Sequence, residues 1–151
     1  MRKKLKILEK QNRIKSLRPD FKQINRWLVK AKKDLKTAEE NLNIDVSWAF
    51  TIAYQAMLLA GRALMFAHGV LPAASGQHRT TIETSREILG ADFIRLIEQF
   101  DRMRRLRHEF LYGARIETSS IEAKEAIKTA SEFLRRIEKI IEKENPQKKL
   151  L

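Results

Sequence analysis

The sequence predicts an all-α fold, an up-and-down bundle of four to five main helices. Turn-forming residues are scarce, with five Gly and three Pro among 151 residues. Ala, Leu, Ile, Glu, Lys and Arg are abundant, and these residues favour helices. Apolar residues recur at steps of three and four, whereas the alternation typical of strands is nearly absent. Short connections make consecutive helices antiparallel neighbours, as in a bundle.

The chain has the size of one domain, and at 43% hydrophobic residues it can bury one ordinary core. We divide it into a basic N-terminal helix or arm at 1–19, a helical bundle at 20–145 and a basic tail at 146–151. The first segment contains eight Lys or Arg against one Glu. Its apolar residues show only a weak helical pattern, so the sequence leaves the choice between helix and mobile arm open.

Two long helices follow this segment. Pro19 and Asp20 mark a break and a helix N-cap, after which an amphipathic stripe runs from Phe21 to about Ile44. The stretch from Val46 to His68 is apolar on nearly all sides, which is typical of a helix at the centre of a bundle.

The second half of the chain contains three more helical segments. After a loop, "VLPAASGQ", a shorter helix runs from His78 to its stop at Gly90. A long helix is predicted over 91–112, where Gly113 ends it. The last helix begins at a cap, Ser119 or Ser120, and continues to about residue 144.

Charge and composition limit the classes of function. A formal net charge of +12 favours polyanionic partners, namely RNA, DNA, nucleotides or an acidic protein. The absence of Cys excludes disulfide scaffolds, Cys-ligated zinc and thiol catalysis, and fits a cytoplasmic protein. The basic N-terminus lacks the apolar core of a signal peptide, and the most apolar run, interrupted by Arg62, is too short to span a bilayer. We therefore expect no membrane partner.

No metal or cofactor is predicted. The three histidines are His68, His78 and His108, and no two of them have metal-ligand spacing on one helix. His78 with Arg79 could line a phosphate at a helix N-terminus, although capping and solvent exposure are the favoured interpretation. The aromatic residues Trp27, Trp48 and Tyr54 fit core or interface packing better than base stacking, because neighbouring apolar positions share their faces.

The stretch "RMRRLRHEFLY", 102–112, interrupts an apolar stripe with arginines. With Phe100 at zero and about 100° per residue, four apolar residues fall within about 60° of it: Phe93, Leu96, Ile97 and Met103. Arg107 then lies about 20° and Arg104 about 40° from the centre of this stripe, and Leu111 returns to it. Arg107 is therefore predicted to point inward, where a guanidinium needs an anion, a carboxylate or a water-filled cleft.

Two structural alternatives for Arg107 remain open. The helix could extend past the core at this point, or Arg107 could pair with a glutamate and hold the bundle together. His108 and Tyr112 lie one turn apart on an adjoining face, and Arg102 and Arg105 are expected to face solvent.

The segment "DRMRRLRHEFLYG" resembles the signature region of HEPN domains, in which an Arg is followed by Asn, three variable residues and then His or Tyr. Arg107 matches the Arg, His108 stands at the usual Asn position, and Tyr112 fills the last slot. The upstream segment "DLKTAEENLNIDVSWAFTIAYQAMLLAGRALMFAHGV" resembles the family's first helical hairpin. The resemblance covers roughly residues 25–142.

This resemblance implies a dimeric helical bundle in which two copies of the motif helix meet in a basic cleft. It implies that Arg104, Arg107, His108 and Tyr112 bind the ligand. Some family members are metal-independent ribonucleases that use the Arg and His, whereas others are paired with small nucleotidyltransferases or bind nucleic acid or nucleotides. In this chain Tyr112 occupies the slot where catalytic members have His, and an unperturbed Tyr, with a pKa of about 10, does not readily exchange protons near neutral pH.

We therefore expect a dimeric RNA- or nucleotide-binding protein that works with a nucleotidyltransferase-like partner in a toxin–antitoxin type of system. One alternative is a metal-independent ribonuclease toxin with Arg107, His108 and Tyr112 as its catalytic residues. Another is a non-catalytic interaction bundle whose basic surface binds an acidic protein. Nucleotidylation of Tyr112 is a weaker possibility, because its placement does not match the known pattern well.

Overall fold

A computed structural model describes residues 2–73, 75–113 and 117–145 of the chain. It confirms the all-α bundle. The helices in the described part of the chain are α1 (Arg2–Lys10), α2 (Phe21–Asn41), α3 (Val46–Ala67), α4 (Gln77–Leu89), α5 (Ile94–Tyr112) and α6 (Ser120–Glu144). The predicted basic tail lies outside the described residues, so the division of the chain into arm, bundle and tail stays a prediction.

Helix α2 begins where Pro19 and Asp20 predict. The side chain of Asp20 accepts hydrogen bonds from the backbone N–H groups of Lys22 and Gln23, which would otherwise lack partners. The helix ends at Asn41, earlier than predicted, because Asp45 takes an extended conformation and caps the next helix. The buried side of α2 is the predicted stripe: Ile24, Leu28, Ala31, Leu35 and Ala38.

Helix α3 lies at the centre of the bundle, as its apolar pattern predicts. It packs against α2 and α6 most extensively, and also against α4 and α5. The expectation that the most apolar run is too short to span a bilayer needs correction, because the helix that contains it is long and apolar enough to do so. However, 72% of its most apolar window is buried inside the bundle, as expected for a core helix. Of the three aromatic residues assigned to the core or an interface, Trp48, near the start of α3, lies outside the core of this chain and is 56% exposed.

The structure contains a small two-stranded sheet that was not predicted, and one of its strands lies in the segment predicted as a loop, 70–77. Strand β1 (Ile14–Ser16) pairs antiparallel with β2 (Val70–Pro72), so that Ile14 lies opposite Pro72. Helix α1 and this sheet enclose a small apolar cluster: Leu8, Ile14, Met65 and Val70. The N-terminal segment is thus a helix and strand packed on the bundle. Strands of three residues are too short to show an alternating pattern in the sequence.

Helix α5 is attached to the bundle by only part of its length. Gly90, with φ +75°, ends α4, and a single 3₁₀ turn over 91–93 precedes α5. The buried residues of α5 are Leu96, Ile97, Phe100 and Met103. Leu111 returns to this face by the helical wheel but is 51% exposed, so the apolar stripe extends past the core. Ser119 caps α6 in a capping box with Glu122.

Candidate functional site

Arg107 points into the bundle from α5, on the side that the helical wheel predicts. Its side chain is half-buried, and its guanidinium carbon lies 5.7 Å from the centre of the Tyr54 ring. The Nε atom is shielded from solvent and has no hydrogen-bond partner among the residues that the structure describes. No carboxylate in the described part of the chain pairs with Arg107. The alternative in which an ion pair between Arg107 and a glutamate holds the bundle together is therefore not supported. The guanidinium therefore keeps its capacity to bind an anion.

Helices α3 and α4 supply the groups that Arg107 faces. Tyr54, fully buried on α3, has its hydroxyl 3.0 Å from Nδ1 of His78, in the first turn of α4. Their rings lie 5.6 Å apart. His78 is half-buried and hydrogen-bonded, which corrects the favoured interpretation of an exposed residue at the end of a helix. We call Arg104, Arg107, Tyr54 and His78 the arginine pocket.

The electrostatics of the arginine pocket favour an anion and a neutral imidazole. Burial lowers the pKa of His78 below its ordinary 6.5, and the positive charges of Arg107 and Arg104 lower it further. His78 is therefore neutral near pH 7. Burial raises the pKa of Tyr54 above its ordinary value, although the same two arginines act in the opposite direction. Tyr54 therefore remains a phenol.

Arg104 differs from Arg107 because it already has an acidic partner. Its Nε lies 3.0 Å from Oδ1 of Asp101, one turn earlier on α5, and the other oxygen of Asp101 is 3.5 Å from Arg105. The spacing of three residues between Asp101 and Arg104 is typical of an ion pair on a helix, and it is the local signal by which Asp101 could have been predicted as this partner. Arg102 and Arg105 are exposed, as expected.

The other two predicted site residues lie on a different face. His108 and Tyr112 are exposed, with their rings 5.1 Å apart, and Tyr112 is 77% exposed. Within one chain the structure thus brings Arg104 and Arg107 together with Tyr54 and His78, and leaves His108 and Tyr112 in solvent. The sequence pattern assigns Tyr54 to packing and groups His78 only with Arg79, since no local pattern links either position to α5.

Comparison with known proteins agrees with this architecture. The model of the HEPN domain family matches residues 24–140. The crystal structure of TT1696 from Thermus thermophilus is similar, with a TM-score of 0.60 and 24% sequence identity over 78% of this chain and 97% of that chain. At this identity the likeness shows the fold alone. No curated protein matches the chain. Because the family model spans most of the sequence, including the arginine pocket, the chain belongs to the HEPN domain family.

Proposed function

We propose that this HEPN protein binds RNA or nucleotides through the arginine pocket. The observation that carries the proposal is the inward guanidinium of Arg107, whose Nε is shielded from water and unpaired. Leaving such a group without an acceptor is costly. A phosphate or phosphodiester offers two oxygens that match the donor geometry of a guanidinium. The net charge of +12 supports a polyanionic ligand, because it attracts such ligands from a distance.

We propose further that the protein works as a homodimer. The end of α5 presents His108, Leu111 and Tyr112 to solvent, and the apolar part of this surface is what a second copy would cover. Pairing at this face would bring two copies of Arg107 towards one cleft. Cooperation with a nucleotidyltransferase-like partner in a toxin–antitoxin type of system rests on the family resemblance alone.

The proposal predicts that Arg107→Ala weakens the binding of single-stranded RNA about tenfold, because one charge-assisted contact to phosphate is lost. The measurement is fluorescence anisotropy with a labelled oligoribonucleotide at one fixed salt concentration, since affinity for RNA depends on salt. Arg102→Ala is the matched control: it removes the same charge from an exposed position of the same helix. Equal affinities of wild type and Arg107→Ala would remove the arginine pocket as the binding site.

A second candidate function, metal-independent ribonuclease activity, is favoured by the position of His78. In the tautomer in which Nδ1 donates to the Tyr54 oxygen, Nε2 of His78 has a free lone pair. This atom could accept the proton of a ribose 2′-hydroxyl. The 2′-oxygen then bonds to the adjacent phosphorus, the bond from phosphorus to the 5′-oxygen breaks, and the leaving oxygen takes a proton from solvent. Arg107 would stabilise the charge on the phosphate oxygens.

If this second candidate holds, RNA is cleaved in the presence of EDTA, and His78→Gln abolishes cleavage whereas His108→Gln does not. The rate rises with pH as His78 loses its proton, with a midpoint below the ordinary imidazole pKa of 6.5, because burial and the charges of Arg107 and Arg104 lower the pKa of His78. Products should end in a 2′,3′-cyclic phosphate, and a 2′-deoxy substrate should stay intact. If the RNA stays intact over the whole pH range, the protein is not a ribonuclease and only the proposed binding function remains.

A further inference from the structure

A groove of about 370 Å³ lies between α2, α3 and α4. Its walls include Lys30 and Asp34 of α2 and His78 of α4. Its floor is one face of α3, formed by residues at helical spacing: Trp48, Ile52, Gln55, Leu59 and Arg62. The most apolar helix of the bundle thus leaves one stripe partly open, with a cation near one end and an aromatic ring near the other.

Arg62 is a cation of this groove that pairs with no carboxylate in the described part of the chain. Its guanidinium carbon lies 5.2 Å from the centre of the Trp27 ring, and its Nε is shielded from solvent without a hydrogen-bond partner. Lys30, by contrast, is paired with Asp34 at 3.1 Å. Among the residues that the structure describes, only Arg62 and Arg107 have a buried guanidinium nitrogen that lacks a partner. Arg62 therefore shares with Arg107 the shielded, unpaired Nε on which the proposed anion binding rests.

His78 lies between the groove of Arg62 and the arginine pocket of Arg107. It lines the groove and is hydrogen-bonded to Tyr54, over which Arg107 lies. At the rise of an α-helix, Tyr54 and Arg62 are about 12 Å apart along the axis of α3. Trp48 lies about 9 Å from Tyr54 in the opposite direction. The groove and the arginine pocket therefore share one residue, His78, and along α3 the groove has Arg62 on one side of this residue and the exposed ring of Trp48 on the other.

We infer that an RNA strand bound at the arginine pocket continues along this groove, with a second phosphate on Arg62 and a base stacked on Trp48. The inference rests on the proposed function and extends it to a single-stranded ligand several nucleotides long. The shielded Nε–H of Arg62 needs an acceptor, which an apolar partner would not provide. An exposed Trp offers a stacking surface to a base of a single strand, whereas the bases of a duplex are not free to stack on it.

The test compares two ligands, the dinucleotide UpU and an oligouridylate of about eight nucleotides. Because UpU has a single phosphodiester, it should bind at Arg107 and not reach Arg62. Arg107→Ala should weaken both ligands. Arg62→Ala should weaken the longer ligand about tenfold, lower the slope of its salt dependence by about 0.7 and leave UpU unchanged. Arg86→Ala, an exposed position of α4 outside the groove, is the matched control and should change neither.

Two further variants separate binding from folding, because Arg62 also packs on Trp27. Arg62→Lys keeps the charge and should retain most of the affinity for the longer ligand. Trp48→Ala, at an exposed position, should weaken the longer ligand about tenfold without lowering the melting temperature.

Three results would overturn the inference. If Arg107→Ala weakens both ligands while Arg62→Ala and Trp48→Ala change neither, the strand does not enter the groove, and the proposed function stands alone. If Arg107→Ala changes nothing, the proposed function fails and the inference with it. If Arg62→Ala instead separates a dimer into monomers in sedimentation, the groove is a contact between copies of the chain.

Discussion

Replacement of Phe100 by Ala is expected to lower the free energy of unfolding by about 3–5 kcal/mol, because it leaves a cavity in a part of the core that has little freedom to collapse. Phe100 is 0% exposed. Its ring centre lies 6.0 Å from that of Tyr54 on α3 and 5.5 Å from that of Phe133 on α6. One side chain thus joins α5 to two other helices, directly beside the arginine pocket.

The measurement is urea denaturation followed by circular dichroism. Ile94→Ala is the matched control on the same helix, and since Ile94 is 45% exposed, this substitution should lower the free energy of unfolding by no more than about 0.5 kcal/mol. A loss for Phe100→Ala as small as that of the control would mean that α5 is not anchored where the structure places it. The arginine pocket would then lack the rigid support that anion binding at Arg107 requires.

Gly61→Ala is expected to destabilise the protein by about 2 kcal/mol, although Ala in a helix is intrinsically better than Gly by about 1 kcal/mol. The reason is the close approach of α3 and α4. A β-carbon at position 61 would lie 2.7 Å from Cγ2 of Thr81 and 3.3 Å from Oγ of Ser85. Both of these α4 residues are buried, so neither has space to move away without disturbing the packing.

A second substitution tests this explanation directly. Thr81→Ser removes the methyl group that the new β-carbon would meet and keeps the hydroxyl, which donates to the backbone carbonyl of Gln77 at 2.7 Å. The double variant should therefore recover most of the loss, and a double-mutant cycle measures the coupling between the two positions. If Gly61→Ala alone raised the melting temperature, α3 and α4 would be farther apart than the structure shows.

Much of the fold could be predicted because its signals are local. Asp20 caps α2, Ser119 caps α6 and Gly90 ends α4 with a positive φ, and each of these acts on a backbone within a few residues of it. The spacing of apolar residues likewise indicates which face of a helix is buried. The inward direction of Arg107 follows from the same rotation, since it depends only on the geometry of α5.

The remaining members of the site could not be predicted in this way. His78 belongs to the arginine pocket because its ring nitrogen meets the hydroxyl of Tyr54, on another helix. Trp48 follows the apolar pattern of α3, but no helix in the described part of the chain covers it, and it is 56% exposed. The contact between His78 and Tyr54 and the exposure of Trp48 both depend on how other helices pack against α3.

The sequence by itself determined five of the six described helices, most of their ends, the central position of α3 and the side of α5 on which Arg107 lies. The tertiary structure decided which distant side chains meet that guanidinium and which cations find a carboxylate. Arg13, for example, forms an ion pair with Glu83 at 2.7 Å across a long separation in the chain, whereas Arg62 and Arg107 find none among the described residues. The physical reason is that helical periodicity is a property of neighbouring residues, whereas the partner of a charge depends on how separate segments pack together.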